Sequence, residues 1–293
     1  MNFWGDEQYS FFESILFQAL GQPVEVIEMQ FLSGGDINTS AQVFSSEGVF
    51  FVKWNHAERR DMFQTEAEGL ELLRQTDALT IPAVIGYGQE GDKSYLVLEY
   101  VDSGTPGAAY WETLGQSLAL VHSHTKARFG LAHNNYIGSL PQTNTPTANG
   151  YEFFFRQRLL PQAGLALYNQ LLPKATYDAL LRLGERLPDL LPNERPALVH
   201  GDLWSGNVLV TEAGGPALID PAVAYCFRET DLAMTKLFGG FDPRFYDAYD
   251  EAFPLEDGFA ERVPIYNLYP LLVHVNLFGT GYVSGVERIV KNF

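Results

Sequence analysis

The sequence predicts an α+β protein of two lobes, with a small N-terminal lobe built on an antiparallel sheet and a larger, mainly helical C-terminal lobe. Short runs rich in β-branched and aromatic residues fill much of the first hundred residues, whereas helical periodicity dominates the remainder. Between the two patterns, DSGTPG at 102–107 combines Gly, Ser and Pro, which favour a hinge. The expected division is therefore an N-lobe at 1–101 and a C-lobe at 102–293, separated by a cleft.

The N-lobe pattern begins with an amphipathic helix at 6–20, which Gly21 would end. The turn Ser46-Glu47-Gly48 joins two strand patterns into a hairpin, and the polar turn QEGDK joins two more. In order, strands are predicted at 24–31, 41–45 and 49–54, a helix at 60–75, and strands at 84–88 and 94–101.

The C-lobe pattern is helical except for a strand pair around Asn207 and Leu218 and a long ordered loop at 129–150. Loops of that length often carry function. Helices are predicted at 108–124, 151–171, 175–187, 229–238, 244–252 and 259–278.

Composition narrows the class of partner. A net charge of −17 repels nucleic acid and anionic membrane surfaces, and we expect neither as a partner. The sequence has no run of 18 apolar residues, a single cysteine (Cys226) and no basic segment at its N-terminus. These features favour a cytoplasmic protein with no membrane span. They do not indicate an oligomeric state.

The stretch LVHGDLWSGNVLV at 198–210 carries the strongest chemical signal. Asp202 and Asn207 lie in a polar loop between two apolar runs, and Asp220 follows thirteen residues later, where another apolar strand ends. Mg²⁺ prefers one or two carboxylates together with phosphate oxygens and water, which suits Asn207 and Asp220. Asp202 could then accept a proton from an attacking hydroxyl, as in phosphoryl transfer. The alternative is that Asp202, Ser205 and Asn207 only form Asx turns in a tight loop.

The N-terminal part offers matching nucleotide-binding groups. Gly34 and Gly35 in LSGGDINTS would let the backbone approach phosphate, although the segment lacks the ending and the helix of a P-loop. Glu66 falls within the apolar stripe of its helix, and a buried acid usually meets a cation. Lys53 in FFVKW is the expected partner, which Glu66 would hold against the α- and β-phosphates. Main-chain groups of Glu99, Tyr100 and Val101, before the hinge, would contact adenine.

LVHGDLWSGNVLV, followed by ALIDPAVAYCFRETDLAMTKLFGGF, closely resembles the fructosamine kinase (ketosamine-3-kinase) family. The resemblance implies a protein-kinase-like fold and ATP-dependent phosphorylation of the 3-hydroxyl of the sugar in a ketoamine. In that family the product phosphate makes the sugar–amine adduct fall apart, so the activity serves protein deglycation. The implied ligands are ATP, Mg²⁺ and a glycated amine or protein.

The resemblance also assigns roles within the loop and beyond it. Asp202 would be the catalytic base, and Trp204, two residues away, could pack its indole on the sugar ring or could instead be an ordinary core residue. His200 would brace the loop through hydrogen bonds. Asp231, at the start of DLAMTKLFGG, resembles a buried acid that receives main-chain donors from the catalytic loop.

Three alternative functions remain to be weighed. A protein kinase is disfavoured because only ten residues separate Asp220 from Asp231, too few for an activation segment. An aminoglycoside- or choline-type kinase shares the chemistry and differs in the acceptor site. A catalytically silent nucleotide-binding pseudokinase is disfavoured because the base, both metal ligands and the Lys53–Glu66 pair are all present.

Overall fold

The computed structural model describes residues 3–32, 38–56 and 61–293, with side chains from Gln8 onward. The chain forms two compact units, Met1–Gly107 with Leu209–Asp220, and Ala108–Val208 with Pro221–Phe293. Main-chain hydrogen bonds attach the 209–220 segment to the first unit, because Gly104 N donates to Val210 O and Leu218 N donates to Thr80 O. No local pattern in the sequence indicates that attachment.

The helices and strands confirm the predicted α+β fold class. The segment Phe154–Leu159, between α4 and α5, is π-helical. In chain order the elements are α1 (Phe3–Leu20), β1 (Val26–Leu32), β2 (Thr39–Ser45), β3 (Gly48–His56), α2 (Met62–Arg74), β4 (Val84–Glu90), β5 (Lys93–Glu99), α3 (Tyr110–Ser123), β6 (Asn135–Ile137), β7 (Leu140–Gln142), α4 (Gly150–Phe153), α5 (Leu160–Tyr168), α6 (Lys174–Leu190), β8 (Ala197–Val199), β9 (Val208–Val210), β10 (Pro216–Leu218), β11 (Ala224–Cys226), α7 (Glu229–Thr235), α8 (Pro243–Ala252), α9 (Phe259–Phe278) and α10 (Val283–Val290).

The first unit is built on a five-stranded antiparallel sheet of order β1-β2-β3-β5-β4, and β9 pairs with β10 in a separate ribbon. Helix α1 buries Phe12, Ile15 and Leu16 in the core of this unit. Its close approach to β4 depends on Gly86, where a Cβ atom would lie 2.7 Å from the Cβ of Ala19. Any larger residue at 86 would push the helix away from the sheet.

In the second unit, α9 contacts α5, α7 and α10, α6 contacts α5 and α10, and α3 packs on α8. The core of this unit buries large aromatic side chains, among them Phe153, Phe154 and Tyr266. A two-stranded ribbon of β8 and β11 pairs Val199 with Ala224 and leads directly into the polar loop that follows β8. This short ribbon therefore fixes the main chain on which the candidate catalytic residues lie.

Two sequence predictions for this unit need correction. The helix predicted at 151–171 is interrupted by the π-helical turns, where the buried Arg158 donates to Thr143 O and to Asn144 Oδ1. The loop predicted at 129–150 contains the β6–β7 hairpin. Three-residue strands are too short to show an alternating pattern, and π-helical turns are rare insertions in α-helices that helical periodicity alone does not predict.

In the part of the chain that the structure describes, no helix has both the length and the apolar character needed to cross a membrane.

Candidate active site

The loop after β8 carries Asp202 and Asn207 and is held by side-chain hydrogen bonds. Asn207 is buried, and its Nδ2 donates to the main-chain oxygen of Asp202 at 2.8 Å and to Oδ2 of the same residue at 3.1 Å. Gly201 has a φ of +83°, and its Cα lies against the main chain of Ala222, where a Cβ would clash. The backbone turn thus requires glycine, and the amide of Asn207 orients the carboxylate of Asp202.

Asp231, on α7, anchors the start of this loop. Its carboxylate is buried and accepts hydrogen bonds from His200 N at 2.7 Å and Gly201 N at 2.9 Å. Burial alone would raise the pKa of Asp231, but its hydrogen bonds and the nearby His122 and His200 outweigh burial and lower that pKa. The ionised carboxylate is therefore the form that holds the two main-chain donors.

His200 and His122 complete this buried network. The main-chain nitrogen of Asp202 donates to Nδ1 of His200 at 3.3 Å, so the ring of His200 braces the loop. His122 lies 3.1 Å from Asp231 Oδ2 through Nε2, and its Nδ1 lies 2.8 Å from the hydroxyl of Tyr249. Sequence reasoning missed His122, because a single histidine on an apolar helix face usually serves only packing.

Trp204 is 39% exposed. It is therefore not an ordinary core residue, which was the alternative to a sugar contact. The residue lies between Asp202 and Asn207 in sequence, and its ring packs over Gly206, where any side chain would clash with the indole. The exposed indole can therefore present an apolar surface to a ligand.

In the first unit, Lys53 forms two ion pairs. From β3, its Nζ lies 2.6 Å from Glu66 Oε1 and 2.9 Å from Asp220 Oδ1, and only 6% of its side chain is exposed. Burial opposes the charge of Lys53, but the two carboxylates outweigh burial and raise its pKa. Lys53 is therefore a permanently charged, fixed ammonium group.

Glu66 lies on α2 with 12% of its side chain exposed. Burial raises its pKa to about 7, Lys53 opposes that rise, and the negative charge of Asp220 adds to it. Glu66 and Asp220 thus share the ammonium group of Lys53. Glu66 is the more deeply buried of the two, so its charged form loses more of its hydration.

Asp220 follows β10 in a left-handed backbone conformation, with a φ of +54°. Such a conformation costs free energy in a residue with a Cβ atom and is concentrated at functional sites. The Asp220 side chain is 44% exposed, although one of its oxygens pairs with Lys53. It therefore combines a fixed orientation with access to solvent.

The remaining sequence predictions concern nucleotide contacts. Gly34 and Gly35 lie outside the described residues. Glu99 ends β5, and its main-chain nitrogen donates to Ala83 O at 2.9 Å while its Oε2 accepts from Ala83 N at 3.1 Å. Tyr100 and Val101 follow at half-buried positions. The main-chain N–H of Glu99 is thus committed to the fold, and adenine would have to contact other groups of this segment.

Each unit offers one oxygen group of the kind that Mg²⁺ binds. Within the described ranges, three or more His, Cys, Asp or Glu side chains nowhere converge as a protein-only metal site. Mg²⁺ that is bound to phosphate groups needs only one or two protein oxygens. Asp220 supplies a partly exposed carboxylate, and Asn207 supplies an amide whose nitrogen points to Asp202 and whose carbonyl oxygen is a hard ligand.

Comparison with known proteins identifies the family of this chain. The model of the fructosamine kinase family matches residues 9–293. A probable ketoamine kinase of Synechocystis is 40% identical over 283 residues, which cover 94% of this chain and 92% of the relative. A protein of Arabidopsis thaliana named chloroplastic protein-ribulosamine 3-kinase is 34% identical over 278 residues, covering 93% of this chain and 84% of the relative.

Solved structures agree with this relationship. A candidate fructosamine-3-kinase from Thermobifida fusca superposes with a TM-score of 0.85 at 33% identity, covering 96% of this chain and 98% of that one. A spectinomycin phosphotransferase solved with ADP and spectinomycin shares the protein-kinase-like fold, with a TM-score of 0.59 at 15% identity and coverage of 97% and 93%. The chain therefore belongs to the fructosamine kinase family, a family of kinases that phosphorylate hydroxyl groups.

Proposed function

We propose that this protein uses ATP to phosphorylate the 3-hydroxyl of the sugar in ketoamines, fructose- or ribulose-derived, and thereby promotes deglycation. The observation that carries the proposal is the carboxylate of Asp202, which Asn207 orients within a loop anchored by Asp231. Family membership supports ATP as the phosphoryl donor, and the names of the relatives support a sugar–amine acceptor.

Asp202 is the proposed catalytic base. Its carboxylate would accept the proton of the sugar 3-hydroxyl as that oxygen forms a bond to the γ-phosphorus of ATP and the bond to the β-phosphate oxygen breaks. The products are the sugar 3-phosphate and ADP. The hydrogen bond from Asn207 supports this role, because it fixes the carboxylate without neutralising it.

The ion pairs of Lys53 are the proposed phosphate contacts. A charged Lys53 fixed by Glu66 would bind the α- and β-phosphates, and Gly34 and Gly35 would allow close main-chain contact with phosphate. Glu99, Tyr100 and Val101 remain the proposed adenine contacts. Asn207 and Asp220 would hold Mg²⁺, which when bound neutralises charge on the phosphates.

Trp204 is the proposed sugar contact. Its indole is exposed and lies two residues from Asp202, so a sugar ring could pack on its face while the 3-hydroxyl approaches the carboxylate. A cytoplasmic location, expected from the sequence, stays a prediction.

The experiment that tests the proposed function is ADP release by the purified chain with ATP, Mg²⁺ and a panel of acceptors. The panel contains ribulosyl-lysine, fructosyl-lysine, choline, an aminoglycoside and a generic peptide. We expect turnover on one or both ketoamines, and loss of that turnover in Asp202→Ala. The control variant is Asp189→Asn, which changes an exposed acid on α6 and should leave turnover unchanged. Turnover only on choline or the aminoglycoside would overturn the acceptor assignment, and ATP binding without any turnover would favour a pseudokinase.

A further inference from the structure

The β6–β7 hairpin carries two buried amide side chains on one of its faces. Asn135 and Gln142 stand directly opposite each other in the register of the hairpin, and both are buried. Residues paired in this way point their side chains to the same side. The proposed mechanism does not use this hairpin, although it lies in the segment 129–150, where the sequence predicts a loop of functional length.

Both amides bind main-chain carbonyl groups of one segment. Gln142 Nε2 donates to Ala222 O at 3.0 Å, and Asn135 Nδ2 donates to Val223 O at 2.9 Å. Two consecutive carbonyl groups are thus held by two side chains from the same face of the hairpin. Buried carbonyl groups need such donors, because an unpaired one costs free energy.

The segment that the hairpin holds supports the loop after β8. Ala222 N donates to His200 O at 2.9 Å, and the carbonyl group of Ala222 lies so close to Gly201 that a Cβ atom there would clash with it. Asp202 is the next residue, so a shift of Ala222 would move the peptide that carries the proposed base. A misplacement of about 1 Å at a reacting group can cost about 10²-fold in rate.

The partners of Gln142 allow its amide one orientation. Its Nε2 also donates to Asn135 Oδ1 at 2.8 Å, and its Oε1 accepts from the hydroxyl of Tyr269 at 2.7 Å. A main-chain carbonyl can only accept, so Nε2 rather than Oε1 must face Ala222. Both N–H groups of the amide are used and its oxygen has a donor, so a flipped amide would lose these bonds.

Arg158 completes the network from the π-helical segment. Its Nη2 donates to Asn144 Oδ1 at 2.7 Å, and Asn144 Nδ2 donates to Asn135 Oδ1 at 2.7 Å. The guanidinium carbon lies 5.6 Å from the centroid of the Tyr269 ring. All of these side chains are buried, at a desolvation cost that an apolar core would avoid. Such a network is suited to fixing a geometry, and π-helical turns are frequent at functional sites.

Tyr269 brings the network close to the charge of Asp202. Burial raises the pKa of Tyr269, Arg158 opposes that rise, and the negative charge of Asp202 adds to it. The hydroxyl of Tyr269 therefore stays protonated while Asp202 is ionised, and it continues to donate to Gln142.

We propose that Gln142 is a positioning residue for phosphoryl transfer. Gln142 holds Ala222 O and thereby sets the position of Asp202. Tyr269 and Asn135 fix its amide in the orientation that does so. The inference rests on the proposed role of Asp202 as the base, but it does not depend on which hydroxyl compound is the acceptor.

The first test is hydrogen–deuterium exchange of the full chain, followed in peptides that cover 198–207. Gln142→Met keeps the length of the side chain and removes its donor, so we expect about tenfold faster exchange at the main-chain N–H groups of His200 and Gly201. Gln162→Met is the matched control, because Gln162 is a buried glutamine of the same unit whose Oε1 accepts from a residue of α9. The control should leave exchange in this loop unchanged.

The second test is steady-state kinetics with whichever compound of the acceptor panel the wild type phosphorylates. We expect Gln142→Met to lower kcat by about 10–10²-fold and to leave the KM for ATP within about twofold, because the proposed nucleotide contacts come from other residues. Tyr269→Phe removes only a hydroxyl group and should lower kcat about fivefold. The double variant should be no slower than Gln142→Met alone, since both changes act through one amide. Gln162→Met should match the wild type in both constants.

The outcomes separate this inference from the proposed function. Unchanged exchange in Gln142→Met, an unchanged kcat, or effects of Gln142→Met and Tyr269→Phe that simply multiply in the double variant would overturn the positioning role. Turnover of the wild type only on choline or the aminoglycoside would overturn the ketoamine assignment, while a lower kcat of Gln142→Met on that acceptor would still support the positioning role. A chain that phosphorylates no acceptor at all would overturn both.

Discussion

The side-chain nitrogen of Asn207 donates to both the main-chain oxygen and the Oδ2 atom of Asp202, at 2.8 and 3.1 Å. One amide therefore fixes the loop backbone and the carboxylate together. It also leaves the carbonyl oxygen of Asn207 directed away from Asp202, which suits the metal-ligand role proposed for this residue.

Replacing the proposed base should separate chemistry from binding. We expect Asp202→Ala to lower kcat by about 10²–10⁴-fold, the usual contribution of general base catalysis. The Kd for ATP should change little, because the proposed phosphate and metal contacts come from other residues. Single-turnover kinetics and nucleotide titration check both values. A variant that keeps its kcat would remove Asp202 from the mechanism.

Replacing Asp220 by Asn should weaken Mg²⁺-dependent nucleotide binding while the fold is kept. Asn tolerates the left-handed backbone of position 220 about as well as Asp does, so the substitution removes the charge without adding strain. Asp220→Ala should bind nucleotide equally poorly and also unfold at a lower temperature. Nucleotide titration with and without Mg²⁺, together with thermal unfolding, tests this order. Equal Mg²⁺ dependence in wild type and Asp220→Asn would contradict the assignment.

Glu66→Gln should raise the KM for ATP and should lower the stability of the protein only slightly. Lys53 would keep its pair with Asp220 but lose the carboxylate that fixes it from α2. Glu71→Gln, at an exposed position of the same helix, is the matched control. Steady-state kinetics over a range of ATP concentrations provide the measurement, and equal KM values in the two variants would mean that the Glu66 pair is only structural.

Asp231→Asn should destabilise the protein by about 3 kcal/mol at neutral pH, because it breaks a buried charged network. The folded-state pKa of Asp231 is lowered below its ordinary value of 3.8, so the ionised form favours folding. That contribution is present above the unfolded pKa and is lost as pH falls through the folded pKa.

Urea unfolding at several pH values measures this effect. The stability difference between wild type and Asp231→Asn should shrink below about pH 4, where the unfolded wild-type chain takes up a proton first. Asp178→Asn, which breaks only the exposed pair with Lys174, should cost less than about 1 kcal/mol. A difference for Asp231→Asn that does not vary with pH would contradict the account.

The sequence predicted those helices and site residues that a pattern of neighbouring residues indicates. The helix predicted at 259–278 coincides with α9, a segment of twenty mostly apolar residues. The apolar stripe on α2 pointed to Glu66 as an acid in need of a cation, and the structure places Lys53 beside it. Membership of the fructosamine kinase family, inferred from the segment around Asp202, is confirmed.

Other features depend on contacts between distant segments and left no local pattern. His122 is 109 residues from Asp231 in sequence, and the strand β11 that pairs with β8 has only three residues. Asp220 pairs with Lys53 across 167 residues, so the sequence suggested a metal ligand but not an ion pair. Such pairings follow from packing of the whole unit rather than from residue preferences.

The most direct test of the central claim is ³¹P NMR of ribulosyl-lysine and fructosyl-lysine incubated with ATP, Mg²⁺ and the purified chain. The account predicts a sugar phosphate ester coupled to the proton at C3, followed by release of free lysine, with neither signal in Asp202→Ala. A phosphate on another hydroxyl, or the same product at the same rate in Asp202→Ala, would contradict it.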